Sequence, residues 1–295
     1  MHEDISHLRL GIIADPQYDD RDPDPAQGRY FRQSLAKLEE AVAHFNMQSL
    51  DAVVVLGDLI DRGFENLAPV LARLDALKAP RILLPGNHDF MVRPDLLMGV
   101  YDALDMPAPY HHRRIKGLRL IVIDGNEISV FAPPVGDARR GQAERRLSEM
   151  QASGAANAQA WNAGMSIEQK DWLRRQLDEA DKAGEPVIIL GHYPLHPFTD
   201  HCLWDAEEIA ALLASSPAAL AYLCGHDHRG NCAERGGVHF INACGMVDTE
   251  SDNAFAVLTV YSDRIEIVGH GREPSRSLSL SPEKRRRTAG LLTVS

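Results

Sequence analysis

Five short segments bring together side chains that can bind a metal or move a proton. They are Asp15-Pro16-Gln17, Gly57-Asp58-Leu59-Ile60-Asp61-Arg62-Gly63, Leu84-Pro85-Gly86-Asn87-His88-Asp89, Gly191-His192 and Gly225-His226-Asp227-His228. Four of the five contain a glycine, and each follows an apolar run. Hard carboxylate and amide oxygens together with borderline imidazole nitrogens suit ions such as Mn, Fe or Zn. A carboxylate shared between two such ions is what two-metal hydrolysis requires. Taken singly, an Asp after a strand is more often a cap or turn residue, and a lone His in an apolar setting a satisfied core residue. Five such clusters in order are hard to explain that way.

The elements that must position these segments can be read from periodicity. Leu8–Ala14, Ala52–Leu56 and Arg81–Leu84 read as strands, the middle one as a continuous buried run. Phe31, Leu35, Leu38, Val42 and Phe45 recur at helical spacing and predict a helix over Arg29–Gln48. Glu65–Leu77 predicts a second helix. The order βαβαβ predicts a mainly parallel sheet with crossover helices, in which ligand sites gather at the carboxyl ends of the strands. Asp95–Leu104 predicts a short helix, and Tyr110–Arg114 and Leu118–Asp124 a hairpin across Lys116-Gly117. Residues 125–165 read as an inserted cap or loop carrying one helix near Ala138–Gln151. Ser166-Ile167-Glu168-Gln169 fits a capping box that opens a helix to about Lys182. Pro186–Leu190 and Ala219–Cys224 read as buried strands, with Asp205 capping a helix to about Ser215. Val238–Asn242, Phe255–Tyr261 and Arg264–Val268 predict an antiparallel β-rich end. The expected organisation is one domain over residues 1–275 and a loose tail over 276–295.

Composition narrows the function. The 295-residue chain has 42 acids against 31 bases, a formal charge of −11, which argues against a general nucleic-acid-binding surface. An acidic protein that handles phosphates needs a local positive centre, and bound divalent cations supply one. The basic run Lys284–Arg287 reads as part of a solvated tail. The four cysteines, Cys202, Cys224, Cys232 and Cys244, form no CxxC pair and are expected to be reduced. No run approaches a membrane span and no targeting segment is evident, so the expected location is cytoplasmic and no membrane partner is expected.

The ordered set of motifs resembles the calcineurin-like metallophosphoesterase family, whose pattern runs Asp-x-His, Gly-Asp-x-x-Asp, Gly-Asn-His-Asp/Glu, a single His, then Gly-His-x-His. The resemblance implies an α/β (α+β) four-layer αββα sandwich, in which two mixed sheets are flanked by helices. It also implies that Asp15, Gln17, Asp58 and His228 bind one divalent ion and Asp58, Asn87, His192 and His226 a second, with Asp58 bridging. A hydroxide held between the ions would attack phosphorus. His88 would act as the catalytic residue, binding a phosphoryl oxygen and assisting the leaving group. Asp61 would either orient the Arg62-Gly63 turn or hold a histidine beside the ions. Gln17 departs from the usual His, and its harder carboxamide oxygen favours Mn²⁺, with Fe, Zn, Co or Mg as alternatives.

That departure, in Ile13-Ala14-Asp15-Pro16-Gln17-Tyr18, also looks like the Mn²⁺-dependent ADP-ribose/CDP-alcohol diphosphatases. Arg29–Leu35, Asp124–Ser129, Asn162-Ala163-Gly164 and Phe240–Thr249 are similar to segments of that subgroup, although Cys244 stands where an acid is expected. The resemblance implies cleavage of the pyrophosphate of a small-molecule nucleoside diphosphate derivative. Tyr18, Phe31, Asn162 and Tyr193 are the candidate substrate contacts. Phe31, Trp161, Tyr193, Phe198 and Trp204 are candidates to stack on a base. Two other readings stand beside this one: a phosphodiesterase or phosphomonoesterase using the same ions, and a metal-free interaction scaffold on the same fold.

Overall fold

The computed structural model describes residues 7–290. Three strands, β1 (Leu8–Ile13), β2 (Ala52–Leu56) and β3 (Arg81–Leu84), lie parallel and neighbouring. Between them run α1 (Ser34–Asn46) and α2 (Leu67–Leu74). The αβ crossover expected from the sequence is therefore present, with a short 3-10 turn, Phe31–Gln33, leading into α1. The sheet continues antiparallel on the other side of β1. Its order is β12-β11-β10-β1-β2-β3, where β10 is Ala254–Val260, β11 Arg264–Gly271 and β12 Arg276–Ser279.

The second sheet has the order β4-β5-β6-β7-β9-β8. It starts with a hairpin of β4 (His111–Ile115) and β5 (Leu118–Val122). Lys116 and Gly117 both have positive φ at its turn, the two-residue geometry that matches strand twist. Parallel strands follow: β6 (Val187–Leu190), β7 (Ala219–Cys224) and β9 (Val238–Asn242). The expected antiparallel end is thus divided. β9 runs parallel to β7, and only β10–β12 form the antiparallel wing. Strand β8 (Asn231–Arg235), an exposed edge, has no apolar alternation and was not foreseen.

The two sheets pack face to face between helices. Side chains alternate across each strand. Val54 and Leu56 meet Leu120, Val122, Ile188 and Leu190 of the other sheet, while Val53 and Val55 turn to Leu38, Val42 and Phe45 of α1. On the far side Ile121 and Ile189 face α5 (Ile167–Ala183) and α6 (Ala206–Ser215) through Leu173, Leu177, Ile209 and Leu213. This is the four-layer αββα sandwich with two mixed sheets. Each fully buried aliphatic side chain contributes ~1.5–3 kcal/mol to holding it.

Three expectations need correction. Residues 276–290 are not loose: β12 pairs with β11, and α7 (Pro282–Gly290) follows it. The ammonium of Lys284 is buried and donates to the carbonyls of Ser216 and Pro217, so part of the basic run serves as an anchor. Residues 291–295 of the expected tail, and residues 1–6, lie outside the described residues. Asp205 precedes α6 without capping it. Its carboxylate instead pairs with Arg146 of α4 (Ala138–Ala152) at 2.8 Å and accepts from Met165 N at 2.8 Å. That pairing docks the 125–165 segment, whose Ile128, Ala143, Leu147 and Ala158 build a small core with Trp204. Ser166 does cap α5, accepting from Gln169 N at 3.1 Å. The reciprocal half of the box is replaced: Ser166 N donates to Glu127, while the Gln169 carboxamide pairs with the backbone of Asp124.

Candidate metal centre

Because β1, β2 and β3 are parallel, as are β5, β6, β7 and β9, their carboxyl ends form one rim in each sheet. Within each rim backbone hydrogen bonds tie neighbouring loops, Gln17 N donating to Asp58 O and Gly225 N to His192 O. Met246 N and Val247 N join the rims by donating to Ala14 O and Asp15 O. All seven metal-competent residues expected from the sequence, Asp15, Gln17, Asp58, Asn87, His192, His226 and His228, lie in these loops, none more than 8% exposed.

Asp58 is the hub. Its Oδ2 lies 2.9 Å from Gln17 Nε2 and 3.5 Å from His192 Nε2, and its Oδ1 accepts from His88 N at 2.8 Å. Asn87 Oδ1 is 3.2 Å from His192 Nε2. Donor atoms of Asp58, His192 and His226 all lie within 4.8 Å of one another. Asp15 Oδ1 is 3.9 Å from both His192 Nδ1 and His228 Nε2. His192 Nδ1 donates to Leu56 O at 2.8 Å, which fixes the tautomer and frees Nε2 for a ligand. A Cβ at Gly86 would come within 2.5 Å of His192 Nε2 and closer still to Asp58 Oδ1. Only glycine leaves room for the two to converge.

The electrostatics call for a cation. Burial raises the Asp15 carboxyl above its ordinary value against the pull of His228 and His192. Burial acts the same way on Asp58, but His192 and His88 beside it outweigh burial and hold it well below the carboxylate range. Burial alone would depress His192, yet Asp58 and Asp15 push it up to about 9. Burial and the neighbouring His192 keep His226 well below its ordinary value. The carboxamide oxygen of Gln17 is buried and has no hydrogen-bond partner. An orphaned hard oxygen, two carboxylates and three imidazoles in one buried cluster fit divalent cations.

His88 stands at the mouth of the centre. Its Nδ1 is 3.1 Å from both Asp61 Oδ1 and Asp61 O, and its side chain keeps about a quarter of its surface exposed. Asp61 makes direct contacts that suit both roles expected for it, the first of them to this histidine. Its other oxygen also receives Arg62 and Arg21, each at 2.8 Å.

A sequence model for calcineurin-like phosphoesterases matches residues 8–230. The chain belongs to that family. Among the relatives of this phosphoesterase is the "Manganese-dependent ADP-ribose/CDP-alcohol diphosphatase" of Xenopus tropicalis. It is 28% identical over 323 residues, covering 92% of this chain and 94% of the relative. The protein of the same name from Homo sapiens is 29% identical over 320 residues, with 93% of each chain covered. A solved structure described as a dimetal phosphatase from Danio rerio superposes with a TM-score of 0.84 at 26% identity, covering 94% of this chain and 100% of that one.

The four candidate substrate contacts of this phosphoesterase have little exposed surface. Tyr18, Phe31, Asn162 and Tyr193 are all buried. Tyr18 carries the backbone link to Asp61 N, and Phe31 lies under the Arg21 guanidinium. Tyr193 donates to Asn126 Oδ1 at 2.7 Å. The Asn162 amide nitrogen donates to Asn157 O and Asp200 O, and its oxygen lies 3.0 Å from His226 Nε2. Asn162 thus stands behind a histidine of the centre. Of the five aromatics considered for stacking, only Trp161 and Phe198 are exposed. Cys244 is buried too. Burial and Glu273 push its thiol up to about 12, and its N–H donates to Glu273 Oε2 at 2.7 Å. Sequence reasoning gave no role to Arg29 or Asp248, which meet at His228. Both lie within segments noted as similar to the subgroup, Arg29 in Arg29–Leu35 and Asp248 in Phe240–Thr249, but neither type nor spacing marks them as partners of a histidine.

Among the described residues, no helix is long and apolar enough to cross a membrane.

Proposed function

We propose that this phosphoesterase hydrolyses the phosphoanhydride of a nucleoside diphosphate derivative, ADP-ribose or a CDP-alcohol, with two divalent cations, Mn²⁺ preferred. The observation that carries the reading is the gathering of Asp15, Gln17, Asp58, Asn87, His192, His226 and His228 in one buried cluster where the two rims meet, with the Gln17 oxygen left unpaired. The printed names of the relatives supply the substrate class. Asp15, Gln17, Asp58 and His228 would hold one cation and Asn87, His192 and His226 the other, with Asp58 shared. When bound, the cations polarise phosphoryl oxygens and lower the pKa of a water.

The chain's own residues do the rest. Asp61 accepts from His88 Nδ1, and against the pull of burial Asp58 and Asp61 raise the imidazole above its ordinary value, so that the protonated ring can donate from Nε2 to a phosphoryl or leaving oxygen. The leaving group of an anhydride is a phosphate, already a stable anion, so one donor suffices. Trp161 and Phe198 offer exposed rings. A hydrogen bond from Asn162 Nδ2 to Asp200 O ties their two loops together, so both can bear on one nucleoside. The test is product analysis with ADP-ribose, CDP-choline, 2′,3′-cyclic AMP and p-nitrophenyl phosphate, each with Mn²⁺, Mg²⁺, Zn²⁺ and Co²⁺. AMP and ribose 5-phosphate should appear from ADP-ribose fastest with Mn²⁺. A wide kcat/KM advantage for the cyclic nucleotide or the monoester would overturn the substrate assignment.

A further inference from the structure

The three histidines of the centre are held from behind by different groups. His192 Nδ1 donates to a backbone carbonyl, Leu56 O. His226 Nε2 meets a neutral carboxamide, Asn162 Oδ1. His228 alone is backed by a carboxylate: its Nδ1 lies 2.8 Å from Asp248 Oδ1. The same oxygen receives Arg29 Nη1 at 2.7 Å, and that nitrogen also lies against the His228 ring, touching Nδ1 and standing 3.0 Å from Nε2, so carboxylate, guanidinium and imidazole form one cluster.

This carboxylate is not an incidental surface charge. Its side chain is about four-fifths buried, and the loop that carries it is fixed on several sides. Lys37 Nζ donates to the carbonyls of Met246, Asp248 and Thr249 at 2.8–2.9 Å. The Arg272 guanidinium donates to Gly245 O. Gly245 N donates to His228 O at 3.1 Å, and a Cβ at Gly245 would collide with the His228 ring. Thr249 N donates to Gly28 O, and Arg29 bridges Asp248 through the backbone. The loop therefore wraps the imidazole, and the N-terminal Gly28-Arg29 segment locks the loop.

We infer that Asp248, held by Arg29, is the positioning residue that sets the tautomer and strengthens the donor power of His228 toward the cation shared with Asp15, Gln17 and Asp58. A carboxylate on Nδ1–H leaves the lone pair on Nε2, where Arg29 Nη1 now stands 3.0 Å away, and makes that nitrogen more basic. The arrangement bears on one ion more than on the other. The set Asp15, Gln17, Asp58 and His228 contains one imidazole, whereas Asp58, Asn87, His192 and His226 contains two. Gln17 brings a neutral amide oxygen where a second imidazole would otherwise donate, so the strength of His228 decides how firmly that ion is held.

The inference rests on the two-cation reading and is tested with Mn²⁺ alone, on the full-length protein stripped with chelator and titrated calorimetrically. The wild type should bind two Mn²⁺. Asp248→Ala should weaken one of them by ~10–100-fold and leave the other unchanged. Asp248→Asn retains an acceptor oxygen without the charge and should recover part of that loss. The melting temperature of the metal-free variants should fall little, since Lys37 holds the loop through backbone carbonyls and only the partly exposed Arg29 and Arg272 ion pairs are lost. Two unweakened Mn²⁺ in Asp248→Ala overturn the inference. So does equal weakening of both ions together with a much lower metal-free melting temperature, which would mark Asp248 as a structural strut. A wild type that binds two Mn²⁺ but leaves ADP-ribose intact refutes the substrate assignment while leaving this inference standing.

Discussion

Gly86→Ala is the smallest change that should disable the centre. The added methyl carbon would sit 2.5 Å from His192 Nε2 and Cε1 and closer still to Asp58 Oδ1. Non-bonded heavy atoms rest at about 3.5–4.0 Å, so the imidazole must retreat by about 1 Å and the carboxylate further. Neither has a free direction. His192 Nδ1 is tied to Leu56 O, and Asp58 Oδ1 accepts from His88 N. A displacement of about 1 Å at a reacting centre costs on the order of 10²-fold in rate, or about 2.7 kcal/mol of barrier. The assay is Mn²⁺ content after reconstitution together with kcat/KM for ADP-ribose. The expected result is loss of at least one ion and a fall in kcat/KM of ~10²-fold or more. Gly99→Ala is the matched control, because its Cβ would stand an ordinary 3.6 Å from the Phe64 ring, and it should behave as wild type. A Gly86→Ala protein with two bound ions and unchanged kcat/KM would refute the claim that Asp58 and His192 converge over a bare Cα.

Three further outcomes are expected. His88→Ala should lower kcat by ~10²–10⁴-fold with near-normal metal content, because His88 faces the mouth and is pinned by Asp61 rather than aimed at the ligand cluster; loss of metal in that variant would reassign it as a ligand. Gln17→His should shift the metal-activation profile away from Mn²⁺, and an unchanged profile would mean that the orphaned Gln17 oxygen does not reach an ion. Burial lowers the Lys284 ammonium from 10.5 to about 8, so between those values the unfolded chain binds more protons than the folded one. The stability of wild type relative to Lys284→Met should therefore climb as pH rises through that window and be lost again as pH falls through 8; parallel denaturation curves across it would show that the ammonium is solvated.

What could be read from the sequence was whatever local pattern encodes. The apolar runs at Ala52–Leu56, Arg81–Leu84 and Ala219–Cys224 are strands to the residue, because continuous burial leaves no competing period. The ligand candidates lie in the loops after β1, β2, β3, β6 and β7, so parallel order brings them to the carboxyl rim of each sheet, and face-to-face packing of the sheets brings the rims together. What escaped prediction depends on contacts distant in sequence. Asp205 looks like a cap in isolation but is claimed by Arg146, 59 residues away. The 276–290 segment has few apolar residues, yet edge pairing with β11 and two carbonyl acceptors for Lys284 hold it. Tyr18, Phe31, Asn162 and Tyr193 stand close to motifs in sequence but are buried. Proximity in sequence to a motif says nothing about which way a side chain faces. Asp248 serves His228 from a loop whose shape is set by Lys37, Arg272 and Gly28, which no local window contains.

The backbone itself singles out the centre. Among the described residues, seven non-glycine positions adopt positive φ: Asp15, Gln17, Asp58, Asp105, Lys116, His226 and Thr249. Four of these are ligand candidates, and Thr249 sits in the loop that wraps His228. Lys116 is explained by its hairpin turn, as Asp105 is by the turn after α3 (Gly99–Ala103). A residue other than glycine held in such a conformation costs of order 1–3 kcal/mol and persists only where the surroundings over-determine it. Here they do: each loop is clamped by backbone bonds to its neighbour across the rim, Gln17 N to Asp58 O and Asp15 N to Gly57 O among them. Strain at the ends of β1, β2 and β7 turns Asp15, Gln17, Asp58 and His226 back toward a common point rather than out over the helices. Relaxing any one of these turns would separate donors that otherwise repel or desolvate one another. The strain therefore belongs to the same design as the bare Gly86, and it accounts for buried carboxylates and imidazoles being held close together.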